Sequence, residues 1–506
     1  MTELTTLDEL IDTGRADDIA IRAPERPNLS YGALRELSAR CRDSINAAGI
    51  GRNDRVAIVL PNGPEMATAF VALAGAVTTA PLNPAYRQEE FEFYLDDLDA
   101  KALVVESGSD TPAIAAANKL GIPLIRSTTD NSRAAGDFDL ISDVQGTAAQ
   151  AGPAQADDIA LILHTSGTTS RPKIVPLSHR NVVASAGNIA NTLALGSSDC
   201  CLSIMPLFHI HGLIAAVLTT LRAGSSIYCT PGFNALKFFN WMEDASPTWY
   251  TAVPTMHQAI LSRASRSENV IADNPLRFIR SSSSSLPTQV MAELEATFDA
   301  PVIEAYGMTE ASHQMASNPL PPAARKPGTV GLAAGPEVSI MSESGNLLDQ
   351  GEVGEVVIRG SNVTGGYENN AKANAENFTD GWFRTGDQGV LDSEGYLSIT
   401  GRLKEIINRG GEKISPREVD EVLMDHPAVQ QCVTFAMPHA KLGEDVAAAV
   451  VLYEGQSSDE ADIRRFTGER LADFKVPRKV LILDEIPKGA TGKLQRIGLA
   501  EKLGLG

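Results

Sequence analysis

Apolar positions in the first half of the chain fall into short unbroken runs separated by stretches with helical spacing. Arg55-Val56-Ala57-Ile58-Val59-Leu60 is one such run, and it stops at Pro61-Asn62-Gly63-Pro64, which predicts a strand ending in a turn. The Ala-rich stretch from Met66 predicts a buried helix, and Ala102-Leu103-Val104-Val105 predicts the next strand. Strands that are apolar on both faces and alternate with helices predict parallel sheets covered on both sides. From Gly351 the pattern changes. Glu355-Val356-Val357-Ile358-Arg359-Gly360 and Gly395-Tyr396-Leu397-Ser398-Ile399 predict strands of a more antiparallel, turn-rich unit. A small α+β pattern follows Gly401-Arg402-Leu403-Lys404. Within it, Ser415-Pro416-Arg417-Glu418 predicts a helix start, with Ser415 as cap, Pro416 in the first turn and Glu418 closing a capping box. The expected class is α/β. A large N-terminal domain of βα sheets spans 1–400, with a β-rich subdomain over about 351–400, and a small α+β domain spans 401–506.

Composition narrows the classes of function. The chain has 506 residues, 43% hydrophobic, which suits roughly three packed units at about 150 residues each. Forty-three basic side chains face 63 acidic ones, a net charge of −20, so neither nucleic acid nor a membrane surface is an expected partner. Residues 401–506 hold 16 basic and 17 acidic side chains, so almost all of the negative charge lies in the first 400. The cysteines Cys41, Cys200, Cys201, Cys229 and Cys432 are odd in number and show no CxxC spacing, which suits free thiols in a reducing compartment. Met1-Thr2-Glu3-Leu4 has no secretory pattern and Leu503-Gly504-Leu505-Gly506 is not a peroxisomal address. The most apolar window, Met66 to Leu82, contains threonines and a glycine, whereas a membrane span needs about 20 strongly apolar residues. A cytoplasmic protein is expected.

The clearest chemical signal is Leu161-Ile162-Leu163-His164-Thr165-Ser166-Gly167-Thr168-Thr169-Ser170-Arg171-Pro172-Lys173, an apolar strand running into hydroxyls, a glycine and a lysine. Thr165, Ser166, Gly167, Thr168, Thr169 and Lys173 can offer backbone N–H groups, hydroxyl donors and a cation to phosphate oxygens. It is not a Walker loop, because the G-x-x-x-x-G-K-[ST] spacing is absent. Tyr306 offers a flat face for a base. Thr309 and Glu310 supply the hydroxyl and carboxylate that suit magnesium beside ATP phosphates.

The loop resembles the phosphate loop of the adenylate-forming superfamily, which includes acyl-CoA synthetases, luciferases and peptide-synthetase adenylation domains. Further motifs of that family follow in order. They are Pro206-Leu207-Phe208-His209-Ile210-His211-Gly212, Glu304-Ala305-Tyr306-Gly307-Met308-Thr309-Glu310 and Trp382-Phe383-Arg384-Thr385-Gly386-Asp387. Gly401-Arg402-Leu403-Lys404-Glu405, Gly410-Gly411-Glu412-Lys413-Ile414-Ser415-Pro416 and Pro487-Lys488-Gly489-Ala490-Thr491-Gly492-Lys493 complete the set. The resemblance implies ATP, Mg2+ and coenzyme A as cofactors and a small-molecule carboxylic acid as partner. It places Glu304, Ala305 and Tyr306 near adenine, Thr309 on the α-phosphate and Glu310 on the metal. Asp387 and Arg402 would contact the ribose, although an aspartate after glycine is also a common turn cap. His209 would lie near the acyl or phosphate site, and Lys493 would contact the carboxylate and α-phosphate, offsetting the repulsion of two anions. Lys404 matches the family's hinge. Rotation there would withdraw Lys493 and bring Gly410, Gly411 and Lys413 to a channel for the CoA thiol, making the C-terminal domain mobile.

The acid is read from other segments. Thr248-Trp249-Tyr250-Thr251-Ala252-Val253-Pro254-Thr255-Met256-His257 and the run from Thr309 to Pro321 are similar to plant and fungal oxalyl-CoA synthetases. Phe278-Ile279-Arg280-Ser281-Ser282-Ser283-Ser284-Ser285-Leu286 occupies the segment that walls the acyl pocket in that superfamily. Serines with His211 and His313 nearby suit a second carboxylate better than a hydrocarbon, because an undonated carboxylate is costly to desolvate. Ser281, Ser282, His211 and His313 are the candidate ligands and Arg280 a further contributor. Solvated loop hydroxyls and a structural arginine are the alternatives. The expected reaction is ATP-dependent ligation of oxalate to CoA through an acyl-adenylate, releasing AMP and pyrophosphate. A ligase for another small or aryl acid, or a stand-alone enzyme loading a carrier protein, is the alternative. His209-x-His211 would share a strand face and could hold metal, but has no neighbouring acidic or Cys partner. One departure stands out: Ile174 follows Lys173 where the family usually has glycine. A positive φ there would strain a β-branched residue and put phosphate grip in doubt.

Overall fold

Unbroken apolar runs make the strands of two sheets that carry most of the chain. The computed structural model describes residues 4–165, 172–487 and 494–506. Among these, one compact unit comprises 4–165, 172–338 and 358–383, and a second comprises 339–357, 384–487 and 494–506.

In the first unit, Arg55–Val59 pairs in parallel with Thr78–Pro81 on one side and Ala102–Glu106 on the other. This seven-stranded sheet ends in Ile159–Thr165, paired antiparallel with Lys173–Ser178. A nine-stranded sheet is built around the parallel strands Cys200–Ser203, Trp249–Ala252, Phe278–Ser281 and Val302–Met308. The α/β class expected from the pattern is what the chain forms.

The stretch from Met66 to Leu82 corrects an expectation. It is not one helix but two elements, helix Pro64–Ala74 and strand Thr78–Pro81. Gly75 caps the helix, and the consecutive threonines that follow favour an extended backbone between two neighbouring strands. Their buried hydroxyls are satisfied, since Thr78 Oγ1 and Thr79 Oγ1 each donate at 2.7 Å, to the Ile159 and Ala160 carbonyls. No helix among the described residues is long and apolar enough to cross a membrane. The five cysteines are buried and unbridged.

In the second unit, Asp387–Leu391 pairs antiparallel with Leu397–Arg402. A separate sheet joins Ile407–Arg409, Glu412–Ile414, Val429–His439, Gly443–Leu452 and Lys479–Ile482. The helix expected at Pro416 runs Pro416–Met424, but the capping box does not form. Ser415 Oγ donates instead to the Thr400 carbonyl, and the Glu418 carboxylate takes Lys475 Nζ at 2.5 and 2.8 Å. A full cation outcompetes a backbone N–H for that carboxylate.

Candidate active site

Strand Val302–Met308 delivers Glu304, Ala305 and Tyr306 to the carboxyl edge of the nine-stranded sheet, the edge where open α/β sheets bind ligands. Glu304 is buried, and its Oε1 accepts from the Leu286 N–H at 3.2 Å. Ala305 gives its carbonyl to Ser282 Oγ at 2.9 Å. Tyr306 is half-buried. The chain then makes one 3-10 turn, Thr309–Ala311, and returns as His313–Ser317 with Met308 opposite His313. That tight return requires Gly307, because a Cβ there would lie 1.7 Å from the His313 carbonyl oxygen. Ser312 and His313 carry the strain, with φ of 49° and 100°.

Two charged side chains assemble near this turn. Lys173 opens the strand Lys173–Ser178 opposite Thr165, and its Nζ lies 4.1 Å from the centre of the Tyr367 ring. Glu310 is 6% exposed, and its Oε1 accepts from Tyr367 Oη at 2.8 Å. Ser166, Gly167, Thr168, Thr169 and Lys493 lie outside the described residues. Ile174 corrects a concern. It sits in the ladder opposite His164, is buried, and has no positive φ, so its branched side chain matches its backbone.

The acyl end differs from its expected layout in three ways. His209 and His211 do not share a strand face, because His211 begins a π-helix, His211–Leu218, and His209 lies in the bend before it. Among the described residues no group of three His, Cys, Asp or Glu could hold a metal. Second, alternation along Phe278–Ser281 sends Arg280 and Ser281 to opposite faces of the sheet. Ser281 Oγ is buried without a hydrogen-bond partner among the described residues, so it joins neither histidine, and Ser282 Oγ is spent on Ala305. Third, Arg280 is fully enclosed. Its Nη1 lies 3.5 Å from Thr251 Oγ1 and its Nη2 donates to Gln314 Oε1 at 3.2 Å. Burial pushes this guanidinium down to about 9, a measure of how poorly it is solvated.

The two histidines do meet. His211 and His313 stack edge to face with ring centres 4.9 Å apart. His211 Nε2 is 2.6 Å from Thr251 Oγ1, and Nδ1 is 2.9 Å from Ser283 Oγ. Ser283 is partly exposed with φ of 72°. Thr251, Ser283 and Tyr367 were not foreseen from the sequence. The serine run and the Thr248–His257 stretch contained the first two, but nothing local marks Tyr367.

In the second unit, Asp387 and Arg402 stand opposite each other in one ladder, and Arg402 Nε donates to Asp387 Oδ1 at 2.8 Å. Lys404 is exposed in the 3-10 turn Leu403–Glu405. Gly410 and Gly411, at φ of 61° and 102°, turn the chain into Glu412–Ile414, where Lys413 is exposed.

A lysine set over a tyrosine ring, a buried carboxylate on a tight turn and a half-buried tyrosine at the carboxyl edge of a parallel sheet are an arrangement that suits a nucleotide-binding enzyme. Comparison with known families agrees: the model of the AMP-binding enzyme family matches residues 11–368, and that of the AMP-binding enzyme C-terminal domain matches 418–493. The chain belongs to the AMP-binding enzyme family. It is 45% identical to the oxalate–CoA ligase of Arabidopsis thaliana, over 96% of this chain and 97% of that one. It is 44% identical to the oxalate–CoA ligase of Saccharomyces cerevisiae, over 96% and 95%. Among solved structures, the ATP-bound MatB of Rhodopseudomonas palustris superposes with a TM-score of 0.87 at 30% identity, over 98% of each chain.

Proposed function

We propose that this protein is an ATP-dependent acid–CoA ligase whose acid is oxalate. In the first half-reaction an oxalate oxygen attacks the α-phosphorus of ATP, and the bond to pyrophosphate breaks. In the second, the CoA sulfur attacks the acyl carbon, the bond to AMP breaks, and the thiol proton is lost. One observation carries the choice of acid. Arg280 is a fully buried cation whose only side-chain hydrogen bonds among the described residues go to the neutral Thr251 and Gln314, and Thr251 in turn meets His211 Nε2. A buried cation without a counter-charge is costly, and a dianion at the acyl end offsets that cost. The two relatives named oxalate–CoA ligase support the same reading.

The remaining roles are those that the family resemblance implies. Thr165 to Thr169 and Lys173 hold the phosphates. Tyr306, with Glu304 and Ala305, lines the adenine side, and Asp387 with Arg402 takes the ribose hydroxyls. Thr309 donates to the α-phosphate. The hydroxyl and buried carboxylate of Thr309-Glu310 are hard oxygen donors that fit magnesium, which would neutralise phosphate charge. Lys493 offsets the repulsion as the two anions meet. His209 lies near the acyl or phosphate end, and His313, oriented by the ring of His211, holds the second carboxylate with Ser283. Ser281 and Ser282 are then part of the wall behind it. Lys404 is the hinge about which 401–506 turns, bringing Gly410, Gly411 and Lys413 to the thiol.

A panel of oxalate, malonate, glycolate, acetate, a medium-chain fatty acid and coumarate tests the reading. Pyrophosphate exchange should need oxalate but no CoA, and oxalyl-CoA with AMP should appear only when CoA is added. Preference for the hydrocarbon acids would overturn the choice of acid.

A further inference from the structure

Tyr367, unmarked in the sequence, touches both charged groups of the phosphate end. Its side chain is buried, its hydroxyl donates to Glu310 Oε1 at 2.8 Å, and the Lys173 ammonium lies 4.1 Å from its ring centre. The backbone around it is held on every side. Its N–H donates to Asn374 Oδ1 at 2.7 Å and its carbonyl accepts from Asn374 Nδ2 at 2.8 Å. The preceding Gly366 has φ of 135°, and a Cβ there would come 2.9 Å from the same Asn374 amide. Two neighbours lace this loop to the elements that bear the charges. The Thr364 N–H donates to the Glu310 carbonyl at 2.8 Å, and Thr364 Oγ1 donates to the Pro176 carbonyl at 2.8 Å. The Glu368 N–H donates to the Ile174 carbonyl at 3.1 Å, next to Lys173.

We propose that Tyr367 is a positioning residue that aims the Glu310 carboxylate at the magnesium accompanying ATP and the Lys173 ammonium at the phosphates. The proposal rests on the roles given above to Glu310 and Lys173. A hydroxyl bound to one carboxylate oxygen fixes the plane of that carboxylate and so the direction of its remaining lone pairs. The negative face of an aromatic ring holds an ammonium in place by a different part of the same side chain. The two grips can therefore be removed separately. Tyr367→Phe loses the hydroxyl and keeps the ring; Tyr367→Leu loses both.

The test is calorimetric binding of α,β-methylene-ATP to the full chain, in EDTA and at saturating Mg2+. Tyr367→Phe should bind the analogue about 10-fold more weakly with Mg2+, the worth of one hydrogen bond to a charged group, and normally in EDTA. Tyr367→Leu should bind about fivefold more weakly in EDTA as well, through the lost ring contact. A Tyr367→Phe variant with full Mg2+-dependent affinity would overturn the proposal. So would equal losses in EDTA for both variants. Glu310→Gln separates the two levels of the argument. If it keeps wild-type affinity with Mg2+, the metal role of Glu310 fails and takes the proposal with it. If it loses that affinity while Tyr367→Phe does not, only the role of Tyr367 fails.

Discussion

His211 and His313 come from a π-helix and from a strand far along the chain, yet their rings meet edge to face at 4.9 Å. Thr251 and Ser283 occupy the two ring nitrogens of His211, so the pair is oriented before any substrate arrives. His313→Ala should raise the KM for oxalate by about 10-fold to 100-fold, as loss of a bond to a charged group does, and the KM for ATP by less than about twofold. Steady-state kinetics with each substrate varied checks this. Equal rises would take His313 out of the acyl end.

Lys493 is assigned to the adenylation step alone. Lys493→Ala should slow oxalate-dependent pyrophosphate exchange by at least about 100-fold, since a charge aimed at the transition state is lost. Conversion of preformed oxalyl-AMP and CoA to oxalyl-CoA should proceed at close to the normal rate. Normal exchange in the variant would contradict the assignment.

Ile174 fills a buried ladder position, so replacing it with the glycine that the family resemblance leads one to expect there should not improve ATP binding. Ile174→Gly should leave the KM for ATP unchanged and cost about 3 kcal/mol of stability through the lost side chain and a looser backbone. Urea unfolding together with ATP kinetics measures both. A fall in KM would show that the loop needs the glycine after all.

His179 links three segments. Its Nδ1 accepts from the Leu7 N–H at 3.2 Å and its Nε2 donates to the Ala74 carbonyl at 3.0 Å, an arrangement that only the neutral ring can make. Burial pushes it down from 6.5 to about 4. The native state resists protonation that the unfolded chain accepts, so this contribution is complete above pH 6.5. It is lost progressively as the pH falls to about 4, a change of about 3 kcal/mol. Urea midpoints of wild type and His179→Gln should converge over that range, and parallel curves would refute the assignment.

Much of this protein is local and therefore readable along the chain. Strand Arg55–Val59, the turn after it and helix Pro416–Met424 follow from runs of apolar residues and from proline and glycine, which act on their own backbone. The ordered motifs carried the family, because glycines, hydroxyls and lysines at set spacings are themselves the chemistry. Packing decided the rest. Helix and strand within Met66–Leu82 were separable only once neighbouring strands claimed Thr78 and Thr79. The serine run announced a polar wall without saying which hydroxyl meets His211; the alternation of strand Phe278–Ser281 stops short of Ser283, whose positive φ turns the chain. Arg280 and Tyr367 show the limit most plainly. A residue's enclosure, and the charges it touches across nearly two hundred positions, depend on how sheets and loops stack in space, and no periodicity along one strand encodes that.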